Sequence, residues 1–225
     1  MLHPNYYFSF ESTPLASLFE EDMILDVLKK LTFYLKKQKL GKIDIPLPEN
    51  VYLENSHLIS IGEGTIIEPG VYIKGPVIIG KNCEIRHGAY IRENVILGDK
   101  VIVGHNSEVK NSILLSRAHV AHFNYVGDSI LGSDTNLGAG VICANFRLDG
   151  KEIFLRLKEK KESTGLRKLG VILGDRSKIG CNSVINPGTL IGKDVLCPAG
   201  IVLSGFISSK AKITSQRMYS IEEEN

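Results

Sequence analysis

The stretch "AHFNYVGD", residues 121–128, places a histidine and a tyrosine three residues apart. His122 is a candidate for proton transfer, because an imidazole titrates near neutrality. A surface histidine alone carries little weight; its company decides. Arg92 and Lys110 lie 18 residues apart, each following an aliphatic residue, Ile91 and Val109. If 18 residues make one turn of a repeating structure, the two cations stack about one strand spacing apart on one face. Cations that close repel, so an anion between them is a natural explanation. Two solvated charges at permissive positions read equally well from these residues alone.

A repeat must position these groups. Ile61, Ile67, Ile73, Ile79, Ile85, Ile91, Leu97, Val103, Val109, Leu115 and Ala121 recur every sixth residue, and Gly follows several of them. Four places after each comes a second small or branched residue: Thr65, Val71, Val77, Cys83, Ala89, Val95, Val101, Ser107 and Ile113. The beat resumes at Leu173, Ile179, Ile185, Ile191, Cys197 and Leu203. Neither the helical period nor the alternation of an ordinary strand accounts for it. A triangular prism does: each six-residue unit is a short strand plus a turn, three units close a coil, and the aliphatic residue points inward. On this reading the rhythm slips at "AHFNYVGD" and turns His122 and Tyr125 outward.

Two segments stand outside the period. Residues 12–40 read as a helix, with Ser12 or Thr13 as cap, Pro14 in the first turn and an apolar stripe of Ile24, Val27, Leu28, Leu31 and Leu35. The stripe is expected to pack on the prism or on another subunit. Residues 146–170 read as a charged excursion extruded at a corner, turning at Asp149-Gly150. The chain thus divides into a helical segment and linker at 1–50, a β prism at 51–207 and a tail at 208–225.

Composition bounds the rest. A net charge of +2 from 27 basic and 25 acidic residues gives no general affinity for nucleic acid or anionic membrane. The N-terminus lacks a secretory pattern and no stretch is long and apolar enough to span a bilayer. Four cysteines, Cys83, Cys143, Cys181 and Cys197, show no metal or disulfide spacing, so a reducing cytoplasm is expected and most are read as core filler.

The motifs "VGHNSEVKNS", "AHFNYVGDSILGSDTNLGAG" and "CANF" carry a family resemblance over roughly residues 51–207. This region resembles the acetyltransferase domain of bifunctional N-acetylglucosamine-1-phosphate uridyltransferases. It resembles more closely still the archaeal-type sugar-1-phosphate nucleotidylyltransferase/acetyltransferases: "TGLRKLG" before "VILGD" looks like their variant with its longer loop. The resemblance implies an all-β fold, a left-handed parallel β-helix of hexapeptide repeats, assembled as a homotrimer with sites between prisms. It also implies transfer of acetyl from acetyl-CoA to the amine of glucosamine-1-phosphate, without a metal. Carried over, His122 matches the general base and Asn145 the residue orienting amine and acetyl group. Arg92 and Lys110 match phosphate ligands, Lys151 a further one, and Tyr125 and Asn136 sugar contacts. Ala139, Cys181 and Ala199 match cofactor contacts along which the pantetheine arm lies. Phe146, also on the cofactor side, stands where tyrosine is usual.

No Gly-rich loop for a nucleoside triphosphate appears, so this chain is not expected to make a nucleotide sugar. A separate nucleotidylyltransferase is then a candidate partner. Two alternatives remain open: an acyltransferase for another acceptor, or a non-catalytic prism that docks such a partner.

Overall fold

Ile73, Ile91, Val109, Val126, Cys143, Ile185 and Leu203 form one vertical column, each register-paired with the next. Such columns arise because the strands are only two to four residues long and the chain bends after each. The computed structural model, which describes residues 2–10, 15–20, 23–157 and 160–215, is a left-handed parallel β-helix. Three parallel sheets of eight, eight and seven strands form its faces. The interior is a continuous file of aliphatic side chains from Ile59 to Leu203. At the corners, Asn82, Asn94, Asn106, Asn111, Asp128, Asp134, Asn182 and Asp194 take positive φ. Their short polar side chains tolerate that region better than other non-glycine residues.

The outward residues distinguish the faces. The first sheet displays Tyr52, Tyr72, Tyr90, Glu108, Tyr125 and Ile142 in register and is called the tyrosine face. The second displays Ile78, Ile96, Ile113, Ile130, Ile172 and Leu190. These apolar residues are covered by Tyr7, Phe8 and the helix, so this is the covered face. The third, the mixed face, displays Glu84, Ile102, His119, Asn136 and Lys178.

The helix spans Ile24–Lys37, with Met23 at its N-cap and no side-chain cap bond. It is shorter than expected, because the residues before it form separate 3-10 turns at Pro4–Tyr6 and Ala16–Phe19. Ser12, Thr13 and Pro14 lie outside the described residues. The expected stripe is buried, and it packs on the prism of its own chain. Asp26 in its first turn and Lys36 and Lys37 in its last complement the helix dipole. A buried carboxylate ties the N-terminal segment down: Asp175 accepts the Ser9 N–H at 2.8 Å and the Ser133 N–H at 2.8 Å.

The expected beat fails at two positions. Leu114 and Val120 point into the prism, whereas Leu115 joins the outer cluster and Ala121 is half-buried. The register shows why. Leu97 pairs with Leu114 and Ile96 with Ile113, so one residue has been lost since Ile91 paired with Val109. The slip therefore lies at Lys110-Asn111, before "AHFNYVGD", and Ser112 rather than Ile113 takes the inner position beside Val95. A second loss follows between Val126 and Leu131, at the end of "AHFNYVGD" where the sequence places a slip, and again where the tyrosine face meets the covered face. The 146–170 excursion leaves the prism along the same edge. It forms a hairpin of Phe154–Leu157 against Lys160–Ser163, and Gly150 N–H closes the expected turn on Arg147 O at 3.0 Å. Winding extends beyond 51–207, with Ile43 bridging to Ile61 and Lys212 to Leu196.

Candidate active site

Two edges of the tyrosine face carry the expected site residues. Where the mixed face turns into the tyrosine face, His122 stacks on His105 in register. Gly140 N–H then donates to His122 O, Asn182 N–H to Ala139 O and Gly200 N–H to Cys181 O, at 3.0, 2.8 and 2.8 Å. His122, Ala139, Cys181 and Ala199 consequently occupy the same corner position in successive coils. His122, Cys181 and Ala199 are exposed, and Ala139 is half-buried. Cys83, Cys143 and Cys197 are buried, as core filler should be.

The corner that presents His122 is held firmly. Its N–H donates to Asn124 Oδ1 at 3.1 Å, while Asn124 Nδ2 donates to Gly138 O at 2.7 Å. Asn124 is 3% exposed and its own N–H donates to Ser107 Oγ at 3.1 Å. Gly104 lies so close to the Ala121 carbonyl that no β carbon would fit there. Between His122 and Asn124, Phe123 has φ +52° and an exposed ring. A bulky residue in the left-handed region is strained, and here the surrounding bonds impose it.

At the other edge lie Arg92, Lys110 and Asn145. Arg92 Nη1 donates to Glu108 Oε1 at 3.0 Å, and Lys110 Nζ reaches Asp128 Oδ2 at 3.3 Å. Each cation already has a carboxylate from its own chain, so no external anion is required between them. Asp128 also accepts from Asn111 Nδ2 at 2.7 Å and from Asn145 Nδ2. Burial, then Glu108 and Asp128, push the Tyr125 pKa up. Gly127 leaves room for this cluster. A β carbon there would stand 2.6 Å from both Asn145 Nδ2 and Tyr125 Oη.

His122 and Gly127, the register partner of Lys110, stand at opposite ends of the Tyr125–Gly127 strand, five residues apart in the chain. Asn136 sits on the mixed face between His119 and Lys178. Phe146 bridges to Lys168 on the extruded loop, and Lys151 is exposed there with its N–H on Asp149 Oδ1 at 3.2 Å. Sequence reasoning missed Asn124 and Asp128. Both are polar residues at corners, and their signal would have been burial, which the shifted register concealed.

Residues 73–158 match the family model described as the GMPPB C-terminal domain, and residues 170–204 match the hexapeptide repeat of succinyl-transferase. The chain is 45% identical over 73 residues to a bifunctional sugar-1-phosphate nucleotidylyltransferase/acetyltransferase of Sulfurisphaera tokodaii, covering 32% of this chain and 18% of that protein. It is 36% identical over 97 residues to the bifunctional protein GlmU of Methanococcus maripaludis, covering 43% and 23%. The chain thus matches about a fifth of the length of these curated relatives. A UDP-N-acetylglucosamine acyltransferase from Campylobacter jejuni superposes with a TM-score of 0.45 at 17% identity, over 76% of this chain and 70% of that one.

Proposed function

We propose that the chain is an acetyl-CoA-dependent N-acetyltransferase acting on an amino-sugar phosphate, with glucosamine-1-phosphate as the first acceptor to test. The observation that carries the reading is the single file of His122, Ala139, Cys181 and Ala199 along one edge. A base at the head of a row of small side chains is what a thioester on a long flexible arm needs. The thioester carbonyl would be delivered to His122 while the arm lies over the small residues.

In this mechanism the acceptor amine attacks the thioester carbonyl carbon, and His122 takes the proton that the amine loses. The tetrahedral intermediate collapses, the C–S bond breaks, and the imidazolium returns its proton to the departing thiolate. Tyr125 and Asn145 orient the sugar and its amine, Asn136 adds a sugar contact, and Arg92, Lys110 and Lys151 take the phosphate. Phe146 contributes to the cofactor side. A homotrimer would place one prism's loop and edge beside its neighbour's, closing the gap between the two edges. A separate nucleotidylyltransferase would then use the product.

The ion pairs of Arg92 and Lys110 favour a second reading, an amine acceptor without a phosphate. Free-thiol release from acetyl-CoA with glucosamine-1-phosphate, glucosamine-6-phosphate and glucosamine separates the two. Turnover that depends on the 1-phosphate supports the first reading, and equal turnover of glucosamine supports the second. Silence with all acceptors, together with undetectable acetyl-CoA binding by calorimetry, rejects catalysis.

A further inference from the structure

Beneath the extruded hairpin lies a cavity of about 330 Å³ whose polar wall is Arg147, Arg156, Asn186 and Ser204. Among the described residues no carboxylate lines it. Asn186 Nδ2 donates to Ser204 Oγ at 2.7 Å, which fixes that wall. Arg147 is held flat by a two-pronged pair with Asp149, at 2.8 and 2.6 Å. Arg156 makes no hydrogen bond or ion pair among the described residues, so its charge is uncompensated. A third cation stands close by, because Lys161 Nζ lies 4.2 Å from the centre of the Phe154 ring that lines the cavity. The loop bearing Arg147 is braced by Arg167, which donates to Gly150 O at 2.9 Å.

A second cavity of about 560 Å³ adjoins the first and shares Arg147, Asn186 and Pro187 with it. Its wall includes Phe146, 46% exposed, and Leu148, fully exposed. The first chamber is cationic; the second is mainly apolar with one aromatic ring, and the Asp149 carboxylate that holds Arg147 is in its wall. We propose that the pair is a nucleoside-phosphate site, with phosphate against Arg147 and Arg156 and the base against Phe146 and Leu148. A planar base supplies a face for the aromatic wall, and a phosphate supplies the acceptors a guanidinium fork requires. The ligand has two sources: the adenosine bisphosphate end of CoA, which rests on the acetyltransferase reading, or a free nucleotide, which does not.

Calorimetric titration with adenosine 3′,5′-bisphosphate tests the site directly. Saturable binding to the wild-type chain should weaken about tenfold or more in Arg156→Ala and less in Arg156→Lys. Asp149→Asn should tighten binding, because it removes the charge opposing the ligand. Absence of saturable binding by the wild type, or unchanged affinity in Arg156→Ala, overturns the proposal. The source follows from kinetics with acetyl-CoA and acetyl-pantetheine. A higher KM for acetyl-CoA alone in Arg156→Ala identifies the CoA end; weakened bisphosphate binding with both KM values unchanged identifies a separate nucleotide. If no acceptor is acetylated, the titration still decides the site while the acetyltransferase reading fails by itself.

Discussion

Lys110 Nζ lies 3.3 Å from Asp128 Oδ2, with the two side chains only 14% and 8% exposed. The lysine belongs to one coil and the aspartate to the next, at the corner where the repeat has lost a residue. The shorter corner is what brings Asp128 in. Arg92, by contrast, pairs with Glu108 near the surface, both about one-third exposed. A phosphate approaching this edge meets one cation that exchanges partners readily and one that does not.

That contrast sets the first prediction. Lys110→Met leaves Asp128 with only its two amide donors and should cost about 3–5 kcal/mol of stability. Arg92→Met should cost less than about 1 kcal/mol, because an exposed pair contributes little, while raising the acceptor KM. Urea unfolding midpoints and acceptor kinetics on both variants check the split; equal stability losses would contradict it.

His122 is exposed and its side chain has no structural partner among the described hydrogen bonds. His122→Ala should therefore leave the melting temperature unchanged and lower kcat for acetyl transfer at least about 100-fold. Preserved turnover would remove the imidazole from the mechanism. A Tyr125→Phe variant should act differently, raising the acceptor KM through loss of the hydroxyl proposed to contact the sugar.

The register itself can be tested. Val120 is fully buried in the prism and Ala121 is half-buried at the corner. Val120→Asp should abolish stable folding, because an unpaired carboxylate in an apolar file is very costly. Ala121→Asp should be tolerated at about 1 kcal/mol or less. The period of six read straight through the sequence demands the reverse order, so circular dichroism of the two variants discriminates cleanly.

These residues also mark what the sequence makes legible. The prism follows from Ile61 through Val109 because an inward aliphatic is required in every coil, and the two lost residues leave that requirement intact. They do change which aliphatic meets it. At "ILL", residues 113–115, all three side chains are apolar and all three are buried, Leu114 inside and the other two under the N-terminal segment. Composition cannot separate inner from outer where both are dry. The His122 file follows from the family resemblance and not from the period. Ala139, Cys181 and Ala199 lie after both losses and share one phase, whereas His122 lies before the second loss. Asp128 and Asn124 were not legible, since a polar corner residue looks solvated until its neighbours along the column are known.

Asp175 offers a test of how the N-terminal segment is attached. It is 1% exposed, and burial pushes its pKa up despite the Ser133 and Ser9 N–H donors. Asp175→Ala strands both donors and should cost about 1–3 kcal/mol. Limited proteolysis should then cut near residues 2–10 faster than in the wild type, with the prism left intact.

His119 sits half-buried on the mixed face between Ile102 and Asn136. Burial, then Lys178 and Arg86, push its pKa down, and Glu84 and Asp134 oppose them only in part. The folded chain therefore binds this proton less readily than the unfolded chain. Its contribution is fully present above the unfolded value of about 6.5 and is lost as pH falls through the lower folded value. His119→Gln cannot be protonated and should lose less stability than the wild type between about pH 7.5 and pH 5. The difference should shrink when either Lys178 or Arg86 is replaced by Met, because each pushes the His119 pKa down. Parallel urea titrations at several pH values measure it, and coincident curves for wild type and His119→Gln would show that the histidine is not the group responsible.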